Sequence, residues 1–159
     1  MNKKALYSLS YGVFVLAGKA GDKINACITN TCMQVANSPT RVAIAVINGN
    51  YTRELVQEGG VFCLTLLDQS CTMDTIRHFG MQSGRDVDKF AAFRSVQRSH
   101  NGLYHLTENV NAMFSCEVRE KKNLGSHMMF IGEVTESKVL GKGAPCTYAH
   151  YHKAIRPKR

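Results

Sequence analysis

Six short segments rich in β-branched and aromatic residues limit what this 159-residue chain can fold into. Each is bounded by Gly, Asn, Asp or Pro, which is typical of strands. The predicted strands are residues 12–18, 24–35, 42–47, 61–67, 112–118 and 128–134. Because they crowd into a small chain without regular alternation with helices, the sequence predicts a mainly β fold, built as a closed or partly closed barrel.

Short helices are predicted between some of these strands. Residues 52–58 follow a Gly-containing turn, and residues 71–79 carry apolar side chains at helical spacing. Residues 3–10 are a third candidate helix. We expect a single domain over residues 1–159 with only a few short helices.

The composition is that of a globular protein, with 44% hydrophobic and 20% charged residues. The apolar stretch near the amino terminus is broken by Ser and Gly, and no apolar run reaches the ~18 residues that span a bilayer. We therefore expect a cytoplasmic protein that does not enter a membrane. The six cysteines form no CxxC pair, so we expect reduced, buried thiols and no metal, with disulfides as the alternative.

The formal charge of +8 attracts anions, including phosphate-bearing cofactors and nucleic acid. The densest basic cluster is residues 153–159. It lacks the interleaved aromatic residues of a single-strand binder, and a solvated chain end explains it equally well. We therefore expect no nucleic-acid partner.

Polar side chains interrupt the apolar segment 26–32. On a continuous strand, Thr29 and Thr31 would face one side and Asn30 the other. Buried Thr and Asn side chains need hydrogen-bond partners, which a ligand can supply. The alternative is an edge strand with one face in water.

A second candidate lies where strand 42–47 passes through a turn into the helix that follows. Asn50 or Thr52 is placed to cap that helix, and helix starts offer amide groups and a positive dipole end to a phosphate. Arg53 adds positive charge. The alternative is an ordinary helix cap. Neither GxGxxG nor GxxxxGK[ST] occurs, so the usual phosphate loops are excluded.

Three further features carry polar or aromatic groups. Loop 83–90 contains a hydroxyl, a glycine and two cations, which suits an anion or simply a solvated loop. His127 starts strand 128–134 and is a candidate proton donor or a structural histidine. His150 and His152 would share one face of a strand, but no third metal ligand has useful spacing. The tyrosines around them suggest a flap over a flat ring.

Taken in order, these motifs resemble the flavin reductase-like family. They read NACITNTCMQVANSP, VAIAVINGNYTRELV, GGVFCLTLL, SGRDVDKF, SHMMFIGEV and PCTYAHYHKAI. The resemblance covers about residues 5–155 and is strongest to flavoredoxins and to the flavin reductase half of flavin reductase–rubredoxin fusions. It implies an FMN-binding split β-barrel of Greek-key-like order. It also implies a homodimer with non-covalent FMN near the subunit interface, reduced by NADH or NADPH.

The resemblance implies a group of residues around the isoalloxazine ring. Asn30 and Thr31 would lie beside the ring with Thr29 nearby. The backbone around Ile47 and Asn48 would meet its pyrimidine edge.

A second implied group serves the phosphate, and a third lies near the reacting face. The phosphate group is Asn50, Thr52, Arg53, Ser83 and Arg85. His127 would contact the nicotinamide or the flavin and is the catalytic candidate, with Tyr148 and Tyr151 close to the ligand. Many relatives carry a lysine near position 50, which this chain lacks.

The implied function is an NAD(P)H-dependent flavin reductase. In such a site the hydride chemistry belongs to the cofactors, while the protein binds and orients them. The electrons would pass to an acceptor such as a rubredoxin-like protein or a monooxygenase. The alternative is a flavoredoxin-like electron-transfer protein with tightly bound FMN and little direct NAD(P)H activity.

Overall fold

The computed structural model describes residues 1–157, which begin with a 3₁₀ helix at Lys3–Ser8. The strands are β1 Phe14–Ala20, β2 Lys23–Thr29, β3 Cys32–Asn37, β4 Thr40–Ile47, β5 Val61–Leu67, β6 Val96–Arg98, β7 Tyr104–Leu106, β8 Val110–Asn123 and β9 His127–Val139. The α-helices are α1 Tyr51–Gly59, α2 Met73–Gly80 and α3 Tyr148–His150, and α3 continues into a π-helical turn, Tyr151–Ile155.

A seven-stranded antiparallel sheet in the order β2-β1-β5-β8-β9-β4-β3 forms the body of the protein. Its two edge strands, β2 and β3, are consecutive in the chain and joined only by Asn30 and Thr31. Because the three Cα–Cα steps from Thr29 to Cys32 span at most about 11 Å, the sheet must curl until its edges approach each other. The result is a split β-barrel, which confirms the mainly β fold predicted from the sequence.

Both faces of the central strands are buried. In β1, Phe14 and Leu16 pack with Ile44 and Phe130 in one core, while Val15 on the opposite face belongs to a second core. Helix α2 contributes to this second core and α1 to the first. Strands covered on both sides read as continuous apolar runs, which is why the sequence located β1 and β5 so clearly.

Three sequence predictions need correction. The predicted strand 24–35 is two strands, since the chain turns at residues 30–31. Strands β8 and β9 run to Asn123 and Val139, beyond their predicted ends, because the hairpin ladder continues where the side chains are polar and exposed. The small β6–β7 hairpin was not predicted. No helix among residues 1–157 combines the length and the apolar character needed to cross a membrane.

Candidate functional site

A cavity of about 340 Å³ opens where the barrel is split; we call it the opening cavity. Residues 28–31 form one side and residues 45–47 at the end of β4 form the other. Val13, Ile76 and Gly80 also line it. Its volume is within the usual range of small-molecule sites.

The walls of the opening cavity are unpaired strand edges. The ladder between β3 and β4 ends at the pair Cys32–Ile44, so residues 45–47 pair only with β9. Among residues 1–157, strand β2 pairs only with β1. An unpaired edge presents N–H and C=O groups at fixed spacing. The opening therefore offers hydrogen-bond donors and acceptors suited to the edge of a planar heterocycle.

Thr29, Asn30 and Thr31 all line this cavity. The predicted alternation of their faces is wrong, because the chain turns here. The Thr29 hydroxyl accepts from the Thr31 amide at 3.3 Å, and the Thr31 hydroxyl donates to Asn30 Oδ1 at 3.1 Å. Within residues 1–157, the Asn30 Nδ2 group donates to no protein acceptor at hydrogen-bond distance, so it is available to a ligand.

A second cavity of about 390 Å³ adjoins the first; we call it the lysine cavity. The two share Asn50, Gly80 and Met81 in their linings. A ligand can therefore place a ring in the opening cavity and a second group in the lysine cavity while passing Asn50.

Lys89 gives the lysine cavity its positive charge. Its side chain is only 3% exposed, and Nζ donates to the carbonyl oxygens of Ala26 and Phe79, both at 2.8 Å. Among the described residues no carboxylate pairs with it. Burial lowers the pKa of Lys89, although a charged Cys27 nearby would raise it. Because an ammonium carries three donors, one remains for an anion.

Ser83 and Gly84 form another part of the lysine cavity wall. Ser83 Oγ accepts from the Arg85 amide at 3.1 Å, so its own hydroxyl hydrogen stays available. A Cβ on Gly84 would clash with the side-chain amide of Asn25, so any larger residue here would force that side chain to move. An ammonium beside a hydroxyl donor suits a phosphate group.

The start of α1 offers fewer free hydrogen-bond donors to a phosphate than the sequence predicts. Asn50 caps the helix, its Oδ1 accepting from the amides of Thr52 at 2.8 Å and Arg53 at 3.4 Å. These amides are therefore not free for a phosphate. The Thr52 side chain is fully buried and its hydroxyl accepts from Asn25 Nδ2 at 2.9 Å. Thr52 and Arg53 do not line either cavity.

Other predicted ligand residues are also engaged within the protein. The Arg53 guanidinium donates to the Asn48 carbonyl at 3.1 Å and to Gln57 at 2.6 Å. Arg85 pairs with Glu54 at 2.6 Å, and its guanidinium lies 4.7 Å from the centre of the Tyr51 ring. Arg85 lines a neighbouring groove and neither of the two cavities described above.

The rim of the opening cavity next to Ile47 is more open. Ile47 is 55% exposed and pairs with His127 in the β4–β9 ladder. Asn48 donates from Nδ2 to the Gly125 carbonyl at 2.6 Å, which ties the β4 end to the β8–β9 turn. Ile47 lines the opening cavity, and Asn48 does not.

His127, Tyr148 and Tyr151 complete this rim. The His127 Nδ1 and the Ser126 hydroxyl are 2.8 Å apart. The two tyrosine rings are stacked, with centroids 6.0 Å apart and planes at 23°. His152 lies in the helical carboxy-terminal segment and not on a strand, which corrects the predicted geometry of the HxH pair. The described residues contain no cluster of three or more potential metal ligands.

Sequence reasoning missed Lys89 as a cavity residue. Its position in a polar loop suggested a solvated cation, and no local pattern shows that its ammonium reaches the carbonyl groups of Ala26 and Phe79. The neighbouring aromatic residue Phe90, which is half-buried against the second core, was the one sequence signal that Lys89 could be buried.

Residues 6–157 match the family described as "Flavin reductase like domain". The chain is 35% identical over 156 residues to a high molecular weight rubredoxin from Moorella thermoacetica, covering 98% of this chain and 68% of that protein. It is 27% identical to a ferric-chelate reductase (NAD(P)H) from Archaeoglobus fulgidus, covering 96% and 89%.

The fold is similar to that of a flavoredoxin from Methanosarcina acetivorans. The TM-score is 0.73 with 22% identity, over 86% of this chain and 74% of that one. The family match extends from the 3₁₀ helix to the carboxy-terminal helical segment, so it includes every wall of both cavities. The chain therefore belongs to the flavin reductase-like family of oxidoreductases.

Proposed function

We propose that this chain binds FMN and reduces it with NADH or NADPH. The observation that carries the proposal is the continuity of the two cavities. One offers unpaired strand edges, and the other offers a buried ammonium beside a hydroxyl. FMN has the matching parts, a planar heterocycle joined by a polyol to a phosphate. When bound, FMN supplies the hydride acceptor and the electron store.

In this proposal, the chain binds the ring through the opening cavity. Asn30 offers its Nδ2 group, and Thr29 and Thr31 hold Asn30 in place through the hydrogen bonds between them. The unpaired edge at residues 45–47 supplies backbone groups to the ring edge. Because these groups belong to strands or to a tight connection, they are fixed before the ligand arrives and lose little entropy on binding.

The phosphate is assigned to the lysine cavity, with Lys89 as its cation and Ser83 as a hydroxyl donor. Asn50 lies between the two cavities, where the polyol would pass. This assignment replaces Thr52, Arg53 and Arg85, whose side chains are buried or paired elsewhere. It also supplies a cation that does not depend on a lysine at position 50.

His127 is proposed as the catalytic residue at the rim. Its imidazole can hold a proton beside the site where negative charge accumulates on reduction, and the Ser126 hydroxyl orients the ring. Tyr148 and Tyr151 are proposed to cover the nicotinamide and exclude water. The outward position of these three residues leaves room for a dinucleotide to enter and leave.

The acceptor and the assembly are part of the same proposal. A relative is named high molecular weight rubredoxin, so a rubredoxin-like protein is the first acceptor to test and a monooxygenase the second. We propose a cytoplasmic homodimer of single-domain subunits with FMN near the subunit interface.

Flavin titration followed by anaerobic addition of NADH or NADPH tests the function. Saturable FMN binding and bleaching of the flavin by one nucleotide would agree with a reductase. Tight FMN binding with no bleaching by either nucleotide would favour the flavoredoxin-like alternative. Absence of FMN binding would overturn both.

A further inference from the structure

Two buried cysteines lie next to each other behind the opening cavity. Cys71 precedes α2 and Cys146 precedes α3, and their sulfur atoms are 3.8 Å apart. Their side chains are only 4% and 1% exposed. The proposed flavin chemistry uses neither thiol.

The two cysteines belong to two separate segments that both contribute residues to the lining of the opening cavity. Cys71 is followed by Ile76 in α2, and Cys146 is followed by Tyr148, both of which line the cavity. Backbone hydrogen bonds already join these segments through β5, because the Cys146 amide donates to the Leu67 carbonyl at 2.8 Å. The cysteines are 75 residues apart in the chain.

We propose that Cys71 and Cys146 form a peroxide-sensitive dithiol whose disulfide fastens the carboxy-terminal segment to the start of α2. The inference does not depend on the proposed flavin chemistry. It rests on the proximity of the sulfur atoms and on the two separate segments that they would join. A disulfide needs a sulfur separation near 2 Å, so side-chain rotation and a small segment shift must accompany the reaction.

The chemistry balances with hydrogen peroxide as the oxidant. The Cys146 thiolate attacks the peroxide O–O bond, becomes a sulfenic acid and releases water after proton transfer. The Cys71 sulfur then attacks the Cys146 sulfur, forming the S–S bond and releasing a second water. Overall, two thiols and one peroxide give one disulfide and two waters. A small dithiol reductant reverses the reaction by thiol–disulfide exchange.

The hydrogen bond from the Cys71 thiol to Cys146 Sγ favours Cys146 as the attacking group. The Cys71 thiol donates to Cys146 Sγ, which lowers the pKa of Cys146 and raises that of Cys71. Elsewhere burial raises the pKa of Cys32 and of Cys63 to about 12. Thiolate character and exposure together govern reaction with peroxide. Because Cys146 is only 1% exposed, its attack on peroxide requires a local opening of the carboxy-terminal segment.

The full chain is treated with a small molar excess of hydrogen peroxide, alkylated after denaturation and digested with trypsin without reductant. We expect two of the six thiols to be lost and peptide 143–153, which holds Cys146, to be linked to peptide 54–77. Peptide 54–77 contains both Cys63 and Cys71. The Cys63→Ala variant should therefore keep the link, and Cys71→Ala should lose it.

The disulfide should also stabilise the native protein, because it closes a long loop in the unfolded chain. We expect the thermal midpoint to rise by about 10 °C on oxidation and to fall back on reduction. Six alkylated thiols after peroxide treatment of the unsubstituted chain would overturn the proposal. A cross-link that persists in Cys71→Ala would overturn it as well.

Discussion

Replacing Lys89 by methionine should weaken FMN binding while sparing riboflavin, which lacks the phosphate. Lys89 is buried to 3% exposure and already donates to two carbonyl oxygens at 2.8 Å. Its remaining donor can make one charge-assisted hydrogen bond to a phosphate oxygen. Such a bond is worth about 1.5–3 kcal/mol, so the FMN dissociation constant should rise by about 10- to 150-fold.

Comparing the affinities for FMN and riboflavin distinguishes a loss of phosphate recognition from damage to the fold. Lys89→Met leaves the carbonyl groups of Ala26 and Phe79 without this donor, which lowers stability, while removal of a buried charge offsets part of that cost. If the barrel keeps its shape, the riboflavin affinity stays unchanged. Fluorescence titration of both flavins, with thermal unfolding of each variant, measures the difference.

Arg85→Met is the matched control, since it also removes a cation from the same loop. Arg85 is half-exposed and paired with Glu54, so its loss should change the FMN affinity by less than about threefold. Equal weakening of FMN and riboflavin by Lys89→Met would make Lys89 purely structural. An unchanged FMN affinity would place the phosphate outside the lysine cavity.

Three further predictions concern individual groups. His127→Ala should slow flavin reduction by NAD(P)H by about 100-fold while leaving the FMN affinity nearly unchanged; stopped-flow absorbance measures the rate, and the reverse pattern would assign His127 to binding. Asn50→Ala removes the acceptor of two helix amides and should lower the free energy of unfolding by about 1 kcal/mol. Urea denaturation measures this, and an unchanged midpoint would show that the cap contributes nothing. Because burial lowers the pKa of Lys89, its charge is present below that pKa and lost as the pH rises through it. As the pH rises, the affinity for FMN should therefore begin to fall below the pKa of an ordinary lysine, while the affinity for riboflavin should not change. If the affinities for FMN and riboflavin depended on pH in the same way, Lys89 would not be the phosphate ligand.

The barrel could be predicted from sequence because its central strands are buried on both faces. Strands β1 and β5 read as mainly apolar runs for that reason, with Lys19 and Thr65 as their polar members. The turn between β2 and β3 could not be predicted, since Asn30 and Thr31 are equally compatible with a polar stretch inside one strand. That turn creates the opening cavity, so the most important feature of the site depends on two residues with no distinctive local pattern.

The residues of the proposed phosphate site were harder to predict, because the tertiary structure decides which hydrogen-bond partner each side chain takes. Arg53 and Arg85 lie close in sequence to plausible phosphate positions, but Gln57 and Glu54 occupy their guanidinium groups. The Asn50 side chain was correctly considered as a helix cap. Lys89 enters the site only because its loop folds back onto β2 and the end of α2.

Anaerobic reduction of the FMN-loaded protein by NADH and by NADPH tests the central proposal most directly. The visible absorbance of the bound flavin is followed while each nucleotide is added in turn. We predict that at least one nucleotide bleaches the flavin with one equivalent per site. Protein that binds no FMN, or bound FMN that stays oxidised with excess of either nucleotide, would contradict the proposed flavin reductase activity.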